Sequence, residues 1–297
     1  MIEIQAAWSD IEAMVTGPVG AQMLYVLYRL RYQFPLQPSE KPIAEELIPL
    51  GLCRREQGDI HLTEFGAKCA DSAREYVFWV DRGRKLHGEG TTPLLSLETF
   101  RDKNVVEIGS GWGCNLVRLA TVAKRAVGVE VEPVYIEFSR ILAKREGVKP
   151  PEIFLAAGES TGLGSGEFDW VLLWSVLQYM DIQEALRESM RLLRPGGFLL
   201  LAQLLLSDFV VTRLKRVAQE RDPRRILSVL SVLADTLWYQ AFGKRLRTDV
   251  KEDATARPIH PTKSYLIATA QRIGLRFRDD LSCRERDHLC MVLQKPD

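Results

Sequence analysis

Between residues 107 and 113 the chain reads Glu107-Ile108-Gly109-Ser110-Gly111-Trp112-Gly113, after the apolar pair Val105-Val106 and before an apolar-periodic stretch that opens at Cys114. Glycines at this spacing let the backbone turn sharply and let a ligand touch bare main chain. A helix starting at Cys114 would aim unpaired N–H groups at that ligand. Dinucleotide-binding folds place a similar loop here, with the spacing G-x-G-x-x-G; this chain has G-x-G-x-G. Glu107 sharpens the contrast, because a carboxylate at the strand end repels a pyrophosphate and suits an ammonium group. Glu130 ends the next strand-like run and offers a carboxylate to both hydroxyls of a ribose, which a dinucleotide and other ribose-bearing ligands share. Glu107 is the discriminating residue.

Side chains that move protons near neutral pH are few. His260 and His87 are the candidates for a general base, although a lone histidine is more often a packing or surface residue. The five cysteines (Cys53, Cys69, Cys114, Cys283 and Cys290) form no CxxC pair and no Cys/His ligand spacing. That pattern argues against a disulfide framework and against a zinc site, so no metal is expected.

The loop must be held by strands and helices in alternation. Strand-like runs fall at Asn104–Ile108, Ala126–Glu130, Glu152–Ala156, Asp169–Trp174 and Gly197–Ala202, mostly separated by helical patterns. A helix over Thr262–Ile273 and two last strands, around Leu275–Arg278 and His288–Gln294, follow. Alternation of this kind predicts a doubly wound, mainly parallel seven-stranded α/β sheet, Rossmann-like, with both faces covered. Strands covered on both faces should be continuously apolar, as the runs VVEI, WVLLW and FLLLA are. Pro195-Gly196-Gly197 reads as a turn ahead of the fifth strand. Residues 206–261 form a long helical excursion rich in Arg and Lys, with Trp238, Tyr239 and Phe242. In open α/β sheets ligands bind beyond the carboxyl ends of the strands, so this insertion reads as a lid or as a solvated face.

Ahead of these lies a smaller region, residues 1–90. Helical spacing spans Gly20–Tyr32, Pro42 opens a short helix to Leu50, and a hairpin with a Gly58-Asp59 turn precedes a helix from Thr63 or Glu64. The order resembles a winged-helix domain, with "GLCRRE…IHLTEFG" as its wing, and Val80–Gly90 reads as a linker. Residues 91–297 then form the larger domain.

The larger domain resembles the class I S-adenosylmethionine-dependent methyltransferases in an ordered series of motifs. VVEIGSGWG stands at the cofactor glycine motif, Glu130 at the acid ending strand two, and Gly158-Glu159-Ser160 at Gly-Asp-Ala after strand three. Phe168-Asp169-Trp170-Val171 opens strand four, Leu177-Gln178-Tyr179-Met180-Asp181 parallels Leu-x-His-x-Asp, and Arg191–Gly197 parallels Arg-x-Leu-x-Pro-Gly-Gly. The resemblance implies S-adenosylmethionine as cofactor, held by Glu107, Gly109, Ser110, Gly111, Gly113, Glu130, Val131, Gly158, Glu159, Ser160 and Trp174. It places Val131 over the adenine and the acid of Glu159 near its amino group. Trp112 either walls the methionine end or packs on the core. Tyr179 stands where many relatives carry histidine; with an unperturbed pKa of about 10 it is a poor base. The catalytic candidates are thus Tyr179 and His260, unless the acceptor is already nucleophilic.

The remaining features narrow the acceptor. With 46% hydrophobic and 27% charged residues and a formal net charge of +1, this is the composition of an ordinary globular protein without a global field for nucleic acid. The start MIEIQAAWSD is not a signal peptide, and no apolar run reaches the roughly 18–20 residues that cross a bilayer. A cytoplasmic setting is expected. Trp174-Ser175-Val176-Leu177 replaces the Pro-rich motif of base methyltransferases, and Pro42–Leu50 lacks the cations of a DNA-recognition helix. Gly-Trp-Gly also occurs in fatty-acid cyclopropane synthases, though only the loop supports that. The expectation is methyl transfer to a small molecule, at oxygen, with nitrogen or carbon acceptors open. The alternatives are a winged-helix DNA-binding regulator that senses S-adenosylmethionine and a nucleic-acid methyltransferase. In small-molecule O-methyltransferases a winged-helix domain commonly serves dimerisation, which implies a homodimer through residues 1–90.

Overall fold

The computed structural model describes residues 2–81, 96–220, 224–245, 258–285 and 288–297. The chain divides into two compact units. One comprises Met1–Gly88, Ser110–Val122 and Ala126–Leu155; the other comprises Glu89–Gly109, Ala123–Arg125 and Ala156–Asp297.

The first unit opens with α1 (Ile2–Thr16), α2 (Gly20–Arg31) and α3 (Lys41–Glu46), then a hairpin of β1 (Cys53–Glu56) and β2 (Asp59–Leu62), then α4 (Glu64–Asp81). Pro42 occupies the first turn of α3, where its missing N–H leaves no bond unmade. Thr63 Oγ1 accepts from the Gly66 N–H at 2.9 Å and so caps α4. The hairpin pairs Glu56 with Asp59. Its turn is therefore Gln57-Gly58, one residue before the expected Gly-Asp. Helix α4 runs through Val80, where a linker was expected; the rest of that linker, with His87, lies outside the described residues. Helix α1 has no counterpart in the expectations, since its buried Ile11 and Val15 give only one helical repeat of apolar spacing.

These helices share one core with α5 (Cys114–Leu119) and α6 (Pro133–Arg145). Ile11, Met23, Leu27 and Leu47 are buried together with Trp112 and Phe138. Polar ties reinforce the packing: the Arg145 guanidinium donates to Val15 O at 2.6 Å and the Tyr76 hydroxyl to Glu146 Oε1 at 2.6 Å.

Seven strands form the main sheet. To β3 (Asn104–Ile108), β4 (Arg125–Glu130) and β5 (Glu152–Leu155) are added β6 (Phe168–Trp174), β7 (Leu193–Leu204), β8 (Arg276–Glu285) and β9 (His288–Gln294). Their order is β5-β4-β3-β6-β7-β9-β8. The pairs β4/β5, β3/β6 and β6/β7 are parallel, whereas β9 runs antiparallel to β7 and to β8. The sheet is thus mixed and mostly parallel, the α/β Rossmann-like architecture expected. Val105, Val106, Glu107 and Ile108 of β3 are all buried, as a doubly covered strand requires.

The second unit adds α7 (Ile182–Leu192), α8 (Leu206–Glu220), α9 (Arg224–Phe242) and α10 (Lys263–Ile273). Asp181 caps α7 by accepting from the Gln183 and Glu184 N–H groups at 3.0 and 3.1 Å, a cap of about 1 kcal/mol. Strand β7 begins at Leu193, so Pro195-Gly196-Gly197 lies inside the strand and not ahead of it. The run stays in the ladder because Gly196 N–H donates to Lys295 O and Lys295 N–H to Gly197 O. The insertion is helical as far as it is described, in α8 and α9; Arg247 lies outside the described residues. No helix among the described residues is long and apolar enough to cross a membrane.

Candidate functional site

In the first unit, Ser110 to Gly113 connect directly into α5. Ser110 N–H donates to Val129 O at 3.1 Å and Gly113 N–H to Ser110 O at 2.9 Å, which curls the loop against β4. Gly111 and Gly113 hold φ of +54° and +80°, values that favour glycine. Glu130, 7% exposed at the end of β4, fixes this curl. Its Oε2 accepts from Gly111 N–H at 2.9 Å, and its Oε1 accepts from Val131 and Glu132 N–H at 2.8 and 3.1 Å. Burial raises the pKa of this carboxyl, partly offset by the N–H donors of Glu132, Gly111 and Val131. A carboxylate has about four acceptor positions, so one direction is left beyond these three bonds. Beside it Val131 is 63% exposed. Trp112, by contrast, is buried and packs at 5.9 Å on Tyr76 of α4. Of the two readings for Trp112, this geometry supports core packing.

In the second unit, Glu107 is 2% exposed near the end of β3. Gly109 follows with φ +70°, and a Cβ there would lie 2.2 Å from Val176 Cγ2. Any other residue meets both strain and collision. Gly158 is equally confined, since a Cβ on it would lie 2.0 Å from Met180 Cε. Glu159, half-buried, accepts from Asp181 N–H at 2.9 Å, while Ser160 is exposed and bridges to Ala157. Trp174 is half-buried at the end of β6, and Tyr179 is 47% exposed in the short 3-10 turn that follows. His260 is 5% exposed. Its ring stacks on Phe209 at 4.3 Å, and Nδ1 lies 3.2 Å from Leu204 O. A carbonyl only accepts, so the proton sits on Nδ1.

Arg245 was not separable in sequence from the other cations of the insertion. Its guanidinium donates to Gln178 O at 3.2 Å and Met180 O at 3.0 Å, directly beside Tyr179. Burial pulls its pKa down, against the raising effects of Tyr239, Asp181, Glu159 and Asp235. The Tyr239 hydroxyl accepts from Ile182 N–H at 2.9 Å and ties α9 to the same segment. No motif spacing marks either residue. Among the described residues no group of His, Cys, Asp and Glu could hold a metal ion.

Residues 106–201 match the family model described as a methyltransferase domain. The chain matches no curated protein. Among solved structures it is similar to a Haloferax volcanii chain in complex with the Trm112 methyltransferase activator, at 15% identity over 79% of this chain and 96% of that one, with a TM-score of 0.52. A Pyrococcus horikoshii protein shares 15% identity over 74% of this chain and 91% of its own, TM-score 0.51. A SAM-dependent methyltransferase of Methanosarcina mazei shares 16% identity over 69% and 98%, TM-score 0.49. At these identities the shared property is the fold. The matched residues 106–201 hold β3 to β7, the centre of the Rossmann-like α/β sheet.

Proposed function

We propose that this chain transfers the methyl group of S-adenosylmethionine to a small-molecule acceptor, at an oxygen. One observation carries the reading. In the first unit a buried acid at a strand end, Glu130, holds a glycine turn by accepting from the Gly111 N–H, the arrangement that a ribose-bearing cofactor requires.

The residues fit the cofactor's chemistry. Glu107 complements the ammonium of the methionine part. Glu130, with one acceptor direction left, takes a ribose hydroxyl, and exposed Val131 covers an adenine face. The backbone of Gly109, Ser110, Gly111 and Gly113 comes close to the ligand, and Gly158, Glu159, Ser160 and Trp174 complete the cofactor side. The bound sulfonium supplies an activated methyl group. The chain's task is then to align the acceptor, and alignment is worth at best about 7–11 kcal/mol. Tyr179 supplies an exposed hydroxyl for the acceptor. His260, with Nδ1–H aimed at Leu204 O and its ring on Phe209, acts as a positioning residue for the insertion.

Small-molecule chemistry is favoured over DNA binding because three cations of the hairpin and of α4 are already paired with acids. Arg54 pairs with Glu56 at 2.9 Å, Arg55 pairs with Glu45, and Lys68 lies 3.1 Å from Glu132. Residues 1–90 then serve as a winged-helix-like domain for dimerisation and not for reading DNA.

The test is calorimetric titration of the full chain with S-adenosylmethionine, alongside methyl transfer to metabolite pools from labelled cofactor. Wild type should bind and transfer label. Glu130→Ala and Gly109→Val should lose binding, at least a hundredfold. Unchanged affinity in Glu130→Ala sinks the site.

A further inference from the structure

Helix α9 is apolar on two sides: Val229, Val232 and Tyr239 are buried, Val229 and Val232 against Phe209 of α8, and a second apolar face looks outward. Of its residues whose burial is described, every exposed one is apolar: Ile226, Leu227, Leu230, Leu237, Trp238 and Phe242, with two alanines between them. Leu227 is 70% exposed and Phe242 62%. Three polar side chains of α9 face inward. Asp235 and Thr236 are buried, Thr236 Oγ1 accepts from His260 N–H at 3.2 Å, and Gln240 Oε1 accepts from the Thr262 hydroxyl at 2.8 Å. Folding normally hides the apolar side of a helix. Here one apolar side and these polar bonds hold α9 to the protein, which leaves a second apolar face from Ile226 to Phe242, over about 24 Å of helix. Val211 and Leu214 of α8 are exposed as well, at 51% and 49%.

Charge decides the occupant. Residues 206–247 contain nine Lys and Arg against four Asp and Glu, a net +5 in a chain whose total is +1. Arg213, Lys215 and Lys244 are exposed. A second copy docked face to face would bring two such segments together, and a nucleic acid has no use for the apolar residues. A bilayer with anionic headgroups satisfies both properties: apolar side chains with Trp and Phe enter the headgroup boundary while cations meet lipid phosphate. We propose that the outer face of α9 is a docking surface for an anionic lipid bilayer, holding the protein on the membrane without crossing it.

The experiment uses the full chain and needs no methyl acceptor, so it stands apart from the reading of the cofactor site. Vesicles of phosphatidylcholine alone, or with one-third phosphatidylglycerol, are floated with the protein at low and high salt. Partition should rise at least tenfold with phosphatidylglycerol and fall with salt. Leu227→Glu/Trp238→Glu should abolish it while leaving the thermal midpoint and cofactor affinity near wild type, since both side chains are exposed. Arg213→Glu/Lys215→Glu should weaken partition and flatten its salt dependence. Equal partition onto both vesicles, or unchanged partition in either variant, overturns the proposal. So does a dimer in sedimentation equilibrium that Leu227→Glu/Trp238→Glu dissociates, which would make the face a contact between copies.

Discussion

Glu130 combines two demands that pull its protonation in opposite directions. Burial at the end of β4 disfavours the charge and raises its pKa above the ordinary 4.5, while N–H groups of Glu132, Gly111 and Val131 favour it. Because the net shift is upward, the carboxyl takes up its proton at a higher pH than a free glutamate. Only the ionised form accepts from the loop and from a ribose hydroxyl without competing as a donor. Cofactor affinity should therefore be flat above neutrality and fall on acidification, by at most tenfold per pH unit for a single group. The fall should begin above pH 4.5. Calorimetry from pH 7.5 to 5 checks this, with Glu130→Gln as a weak, pH-independent reference; a wild-type affinity constant to pH 5 contradicts the role. The placement of Glu107 and Glu130 near strand ends and of the three glycines in a turn could be read from sequence, because a strand end and a turn are local. The placement of Arg245 could not, because only burial beside Gln178 and Met180 distinguishes it from the ten other Lys and Arg of residues 206–261. Nor does a lone histidine reveal whether its ring meets a ligand or, as His260 does, Phe209 and Leu204.

Helix α7 shows how an element is fixed on the sheet. Glu188, 8% exposed, accepts from the Thr161 N–H at 2.9 Å and the Thr161 hydroxyl at 2.6 Å. Arg191 closes on it from the next turn at 2.7 Å and reaches Ser165 at 2.8 Å. One carboxylate thus pins the segment after Gly158-Glu159-Ser160 to the helix capped by Asp181. Burial opposes its ionisation, but the Arg191 and Thr161 bonds outweigh burial and take the pKa down to about 2. A depressed acid contributes stability above its unfolded value and loses it as pH falls. Glu188→Gln should then cost about 2 kcal/mol in urea unfolding at pH 7. That deficit should shrink below pH 4.5 and vanish near pH 2; a deficit independent of pH assigns the effect to packing alone. Strand and helix periods made most elements legible, since periodicity reports which side is buried. They misplace Pro195-Gly196-Gly197, because turn residues carry no mark of the Lys295 backbone that keeps them in the ladder. They also miss the outward apolar face of α9, because apolar spacing does not say which of two apolar sides a helix buries.

At the scale of the molecule, sequence suggests a border near residue 90, but an apolar helix face does not name the face it will meet. Helices α1, α2 and α4 bury theirs against α5 and α6. Trp112, between two loop glycines, belongs to that same core through Tyr76. Tyr76 in turn bonds Glu146 by its hydroxyl and receives the Arg145 Nε–H at 3.3 Å. The glycine loop is thereby braced from behind by the N-terminal helices, and the brace can be removed in two stages. Tyr76→Phe keeps the ring against Trp112 and loses only the hydroxyl's bonds, so it should cost about 1 kcal/mol and leave cofactor affinity unchanged. Tyr76→Ala removes the ring, opens a cavity beside Trp112 and should cost about 3 kcal/mol. With the loop unbraced, cofactor binding must also re-order Ser110 to Gly113, so affinity should drop at least tenfold in the alanine variant alone. Urea unfolding measures the first quantity and calorimetry the second. If Tyr76→Ala loses stability yet binds cofactor like wild type, the N-terminal helices support the fold without tuning the loop. If affinity falls for Ala and holds for Phe, the ring packing behind Trp112 is what keeps the cofactor turn in shape.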